Sequence, residues 1–226
     1  MRVAILANGA PPRHAAPRNA FAAADLLVAC DGALAAARAL GREPDYVVGD
    51  GDSLPPADHG ALGARFITIP EQDTNDLCKA FRFVISLPRQ NNALSIVLLG
   101  VTGLREDHTL ANIFHLLDFT EEVSDTTILT DTGTFTAVRG EQTFPCRPGD
   151  AVSVFAPLPD THVTSRGLAW PLDGVDLSPL WRGTLNHTTG ETFTVCTNRP
   201  ILLYSAHPQA DDILSRFKKE DGKVSP

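Results

Sequence analysis

In the first half of the chain, short apolar runs alternate with longer stretches whose apolar positions recur every three or four residues. The runs at residues 3–7, 26–30, 46–48, 66–69 and 95–99 predict strands. The stretches at 17–24, 33–40, 74–87 and 107–118 predict helices. Gly41 is placed to end the second helix and Pro88 the third. The run 95–99 is almost wholly apolar, as befits a strand covered on both faces. In the 107–118 helix, Leu110, Ile113, Phe114 and Leu117 share one side and predict its buried stripe. Asp73 predicts the cap of the 74–87 helix. Strands alternating with helices imply a doubly wound, mostly parallel sheet.

The texture changes near residue 123. Segments 127–130, 134–138, 151–155, 162–165, 192–196 and 201–204 alternate apolar and polar positions. Pro148-Gly149, Asp173-Gly174 and Thr189-Gly190 supply turns between them. This pattern predicts a β-sandwich. The expected division is an α/β domain at 1–122, a β-sandwich domain at 123–207 and a polar tail at 208–226.

Composition narrows the function classes. The chain has 226 residues, 43% of them hydrophobic, and a formal net charge of -8. No block of Lys or Arg stands out, which argues against a nucleic-acid partner or an anionic membrane surface. No apolar run reaches the ~20 residues of a membrane span. The four cysteines form no C-x-x-C pair, which disfavours a structural zinc site and predicts free thiols in a cytoplasmic protein.

The candidate chemistry lies just past the predicted strands. Asn8-Gly9 and Asp31-Gly32 follow the first two, where backbone can approach a nucleotide. Asp50-Gly51-Asp52-Ser53 follows the third. Its two carboxylates either take a divalent cation, with Ser53 donating to phosphate, or simply shape a solvated turn. Gln72-Asp73-Thr74-Asn75-Asp76 opens a helix, with Lys79 one turn further on, placed to contact phosphate or to pair with Asp76. Thr102-Gly103-Leu104-Arg105-Glu106-Asp107-His108 joins the fifth strand to the next helix. That helix start offers free N–H groups and Arg105 a planar fork for phosphate. His108 and Asn112 share a helix face. Ligands of open α/β sheets bind beyond the carboxyl ends of the strands, so these segments are expected on one rim. Neither a G-x-G-x-x-G nor a G-x-x-x-x-G-K-[ST] pattern is present, which disfavours the two commonest nucleotide folds. In the second half, Trp170 either joins Trp181 in the core of the sandwich or stacks on a flat heterocycle that Asn186 can hydrogen-bond.

Six elements, in order, resemble the thiamine pyrophosphokinase (thiamine diphosphokinase) family: Cys30–Ala33, Gly49–Ser53, Gln72–Asp76, Thr102–His108, Gly167–Leu172 and Gly183–Asn186. The resemblance spans residues 1 to about 205. It implies ATP as co-substrate, Mg2+, thiamine as acceptor, and a homodimer whose interface forms the thiamine sites. By this likeness Asp50, Asp52 and Asp76 stand at metal and catalytic positions, joined by Asp107 as a catalytic residue. Asn8, Asp31, Gly32, Ser53, Thr102, Gly103, Arg105 and His108 stand around ATP. Gln72, Asn75, Trp170, Thr184 and Asn186 stand around thiamine. Four positions depart from the family pattern: Gly51 for a bulkier apolar residue, Asn75 for Thr, Leu104 for Gly and Leu185 for Ser. The implied reaction is attack of the thiamine hydroxyl on the β-phosphorus of ATP with release of AMP, either Asp76 or Asp107 accepting the proton. Rival readings are a pyrophosphokinase acting on another heterocyclic alcohol such as a hydroxymethylpterin, and a non-catalytic nucleotide- or thiamine-binding module.

Overall fold

The computed structural model describes residues 1–88 and 93–207, and the chain divides into two compact units, Met1–Asp131 and Thr132 onward. The polar tail expected at 208–226 lies outside the described residues.

The first unit carries six parallel strands: β1 (Arg2–Leu6), β2 (Leu26–Cys30), β3 (Tyr46–Gly49), β4 (Phe66–Thr68), β5 (Ser95–Leu99) and β6 (Thr126–Leu129). Their order across the sheet is β4-β3-β2-β1-β5-β6. Five helices connect them: α1 (Ala15–Ala23), α2 (Leu34–Ala39), α3 (Pro56–Leu62), α4 (Asp76–Ser86) and α5 (Glu106–Glu122). Successive strands spread from β1 to one edge, and the chain then returns to the other side of β1. The order therefore reverses between β1 and β5. Such a switch point opens a crevice at the strand ends, because the connections on its two sides leave in opposite directions.

Backbone pairing continues past the ends of these two strands. Ala7 N donates to Leu99 O at 2.8 Å, Gly9 N to Gly100 O at 2.7 Å and Ala10 N to Thr102 O at 2.7 Å. A Cβ on Gly9 would lie 2.2 Å from Gly100 O and 2.5 Å from Thr102 O. Only glycine permits this approach.

Three features depart from the sequence expectation. The first unit runs to Asp131 rather than 122, because the segment after α5 pairs in parallel with β5 instead of starting the β domain. Helix α3 went unforeseen; Pro56 begins it and Gly63, at φ +53°, ends it. Helix α5 is rotated relative to its predicted stripe. Asn112, Leu116, Phe119 and Thr120 are buried, whereas Leu110 is 59% exposed. Two stripes on this helix share the 3.6-residue period, and packing selects the one that stacks Phe119 on Phe81 at 4.1 Å.

The second unit is an antiparallel, sandwich-like sheet built from β7 (Gly133–Pro145), β8 (Ala151–Phe155), β9 (Val163–Arg166), β10 (Asn186–His187) and β11 (Thr192–Ala206). The two strands expected at 192–196 and 201–204 are halves of β11. The register shifts between Thr197 and Ile201, around Pro200, which has no N–H to give to a ladder. Before the shift β11 pairs with β9, and after it with β8, while β7 follows both halves. Val138, Val154, Val195, Phe193 and Ile201 fill the core enclosed by this bend.

Replacing Gly9 by Ala is expected to lower unfolding free energy by about 1–3 kcal/mol, the usual cost of overpacking against fixed atoms. Urea denaturation measures it, and an unchanged midpoint would mean the β1–β5 closure is looser than described.

Candidate active site

A cavity of about 420 Å³ opens at the carboxyl ends of the parallel strands. Ala7, Asn8 and Gly9 from the end of β1 and Val101, Thr102, Leu104 and Arg105 from the end of β5 form one side. Asp50 and Ser53 after β3, with Gln72, Thr74, Asn75, Asp76 and Lys79 around the start of α4, form the other. His108, Thr109 and Asn112 of α5, with Cys30 at the end of β2 and Leu77 of α4, complete the lining.

The charged centre is Lys79. Its side chain is 2% exposed, and its Nζ lies 3.1 Å from Asp76 Oδ1 and 3.6 Å from Asp50 Oδ2. Burial works against the ammonium, but the Asp76 hydrogen bond and the fields of Asp76, Asp50 and Glu71 outweigh it and hold its pKa above the usual lysine value. Asp50 accepts from Gln72 Nε2 at 2.9 Å and from Asp52 N at 3.1 Å, and these bonds, with Lys79, hold its carboxyl below the usual range. Asp76 is pushed upward. Burial is the leading cause, opposed by the Lys79 hydrogen bond and reinforced by the charges of Asp31 and Asp50.

Local sequence explains how these groups converge. Asn75, not Asp73, caps α4, its Oδ1 accepting from Cys78 N at 3.0 Å. Asp73 instead lies in a turn wrapped around Glu71, whose carboxylate accepts from Asp73 N, Thr74 N and the Thr74 hydroxyl. Capping one residue before Asp76 puts Asp76 and Lys79, three apart, on the same side of the first helical turn. Asp31 is 3% exposed and does not line the cavity; its oxygens accept from Gly32 N at 2.6 Å and Gly51 N at 3.1 Å. It thereby anchors the loop that presents Asp50. Gly51, at φ +93°, takes the left-handed conformation which that loop requires.

Of the residues expected around metal and ATP, Asp50, Asp76, Asn8, Ser53, Thr102, Arg105 and His108 line the cavity. Asp52, Asp31, Gly32, Gly103 and Asp107 do not. Asp52 is exposed and reaches the site only through its backbone bond to Asp50. Gly103, at φ +91°, packs toward Ala10. Asp107 forms a two-point pair with Arg105, at 3.1 and 2.6 Å, and that guanidinium holds its pKa down to about 2. Among the described residues no group of three or more His, Cys, Asp or Glu is arranged to hold a metal. Asp50 and Asp76, both within reach of one ammonium, nevertheless suit a magnesium ion that takes one or two protein carboxylates and completes its shell with phosphate and water.

Gln72 and Asn75, expected at thiamine, line this same cavity. The remaining three belong to the second unit. Trp170 is 58% exposed and meets His187 edge to face at 4.8 Å. Asn186 is buried and its amide is engaged with Trp170, accepting from Trp170 N at 3.2 Å and donating to Trp170 O at 2.6 Å. Asn186 thus holds Trp170 rather than projecting freely. The Thr184 hydroxyl donates to Trp181 O at 2.6 Å. Leu185 is 83% exposed at φ +63°, a conformation a side chain seldom adopts. The sequence singles out Asn112 only by its spacing from His108. The stronger signal was a polar residue inside an apolar helical stretch, which is buried only when its hydrogen bonds are met.

Comparison with known proteins gives two family matches. Residues 17–129 match the model described as thiamin pyrophosphokinase, catalytic domain, and residues 133–204 the model described as thiamin pyrophosphokinase, substrate-binding domain. No curated protein matches significantly. Among solved structures, thiamine pyrophosphokinase from Bacillus subtilis is similar at 19% identity and a TM-score of 0.71, covering 91% of this chain and 98% of its own. Thiamin pyrophosphokinase from Candida albicans is similar at 16% identity and a TM-score of 0.72, covering 91% and 89%. The yeast thiamin pyrophosphokinase stands at 18% and 0.71, covering 91% and 86%.

Removal of the central ammonium has a defined consequence. Lys79→Met is expected to destabilise the protein by about 2–3 kcal/mol, below the full cost of breaking a buried pair because water reaches both carboxylates. It should also raise the pKa of Asp76 further, since an opposing positive charge is lost. Denaturation and carboxyl-carbon NMR titration read the two effects; a lowered Asp76 pKa would contradict the assigned pairing.

Proposed function

The chain belongs to the thiamin pyrophosphokinase family, transferases that use ATP to pyrophosphorylate thiamine, and we propose that its cavity at the β1–β5 switch point holds the triphosphate during that transfer. The observation that carries this reading is the meeting of Asp50, Asp76, Lys79 and Arg105 around one cavity at the strand ends. Arg105, whose Nε and Nη2 pair with Asp107, has its Nη1 edge to offer phosphate oxygens, and Lys79 adds a point charge. At the start of α5, expected to offer free N–H groups, the His108 N–H is taken by Asp107 Oδ1 and the Thr109 N–H by Arg105 O.

Asp50 and Asp76 are the residues that would hold Mg2+. When bound, the ion supplies neutralisation of charge on the phosphate oxygens. Lys79 orients these two carboxylates, and Gln72 fixes Asp50. The thiamine hydroxyl attacks the β-phosphorus in line and AMP departs, a reaction governed by placement and electrostatics more than by covalent participation of the protein. Asp76 suits the role of proton acceptor better than Asp107. Asp107 is paired at two points with Arg105 and does not line the cavity, whereas Asp76 does.

For the acceptor, the exposed ring of Trp170 offers a flat surface to the heterocycle, held in place by Asn186. A homodimer accords with the exposed apolar side chains Trp170, Trp181 and Leu185 of the second unit. A cytoplasmic setting accords with four free cysteines. No helix among the described residues is long and apolar enough to cross a membrane.

AMP release from ATP is expected to require both thiamine and Mg2+. Asp50→Ala should reduce it by about a hundredfold or more, comparable to losing one preorganised electrostatic group, without loss of fold. AMP release that ignores thiamine, or full activity in a folded Asp50→Ala protein, would refute the reading.

A further inference from the structure

The two sides of the cavity are joined by a directed line of hydrogen bonds. Asn112 Nδ2 donates to Val101 O at 3.2 Å, at the end of β5. Asn75 Nδ2 donates to Asn112 Oδ1 at 3.0 Å, and Cys78 N donates to Asn75 Oδ1 at 3.0 Å. Asn112 is 8% exposed, and both asparagines line the cavity.

The direction of these bonds is forced. A backbone carbonyl only accepts, so Val101 requires the amide nitrogen of Asn112. Asn112 must then present its oxygen to residue 75. Residue 75 must donate to that oxygen while also accepting from the first turn of α4. A side-chain amide has donor and acceptor on separate atoms and meets both demands. A carboxylate has no donor, and a single hydroxyl oxygen would have to reach both partners. The line therefore couples the Val101–Arg105 loop to the helix start bearing Asp76 and Lys79. A polar line of this kind, buried at Asn112 and half-buried at Asn75, is rigid when every member is satisfied and disruptive when one is not.

We propose that Asn112 is a positioning residue for the transfer, which acts through Asn75 and Val101 to fix the spacing between the Arg105 side and the Asp76 side of the cavity. This rests on the functional reading above. Asn112→Asp keeps the shape but loses the donor to Val101. Asn75→Thr keeps a competent helix cap but loses the donor to Asn112. Each single variant, assayed by AMP release well below its melting temperature, should lose about tenfold in kcat with KM for ATP changed by less than about twofold, as expected when aligned groups shift slightly. The double variant should be no worse than the poorer single one, because both break the same line. Amide hydrogen exchange over Val101–Arg105 should quicken in both singles. Wild-type kcat, additive losses in the double variant, or exchange at Val101–Arg105 unaltered by Asn75→Thr would each overturn the proposal. The exchange measurement needs no turnover, so it decides the coupling even if wild-type protein releases no AMP and the functional reading itself has failed.

Discussion

The close pairing of β1 with β5 is the constraint on which the rest of the first unit depends. Four other parallel strands are added outward from this pair, and the order of the sheet reverses across it. The ladder runs beyond the strands through Gly9 and Gly100, so the two loops leave the sheet locked together before they diverge. That locking makes the crevice a fixed shape instead of a gap between mobile loops. It also puts Asn8 and Thr102, nearly a hundred positions apart, on one wall.

Charge is organised around that crevice by burial and by backbone donors. Asp31 takes two backbone N–H groups and holds the loop of Asp50. Asp50 and Asp76 then share the buried ammonium of Lys79. Without that ammonium the two carboxylates would repel each other. The arrangement places two carboxylates and two cationic side chains around a single cavity, which suits the binding of a polyanion with its counter-ion. The second unit follows a separate logic. One long strand bends at Pro200 so that its halves serve different neighbours, and the enclosed core supports the surface on which Asn186 holds Trp170.

Several elements were legible in the chain itself. The strands at 26–30, 95–99 and 151–155 coincide with those observed, because a short apolar run between turn residues admits few alternatives. The acidic and glycine signatures past the strand ends mark the rim of the sheet in the sequence itself. The family resemblance rests on the same signatures, since backbone approach and phosphate chemistry each restrict residue type at fixed positions.

What the chain determined alone was the alternation of elements, the character of each half and the residue types capable of the chemistry. Tertiary structure decided how those residues are deployed. It turned α5 so that Asn112 faces inward and Leu110 outward, although both stripes obey the helical period. It gave the cap of α4 to Asn75 instead of Asp73, and so put Lys79 between Asp50 and Asp76. It withdrew Asp31 from the cavity to brace a loop and bound Asp107 to Arg105. The physical reason is common to these cases. A polar side chain takes its role from the partners that satisfy its hydrogen bonds and charge, and in these cases the deciding partners are set by the packing of the fold, which local sequence does not specify.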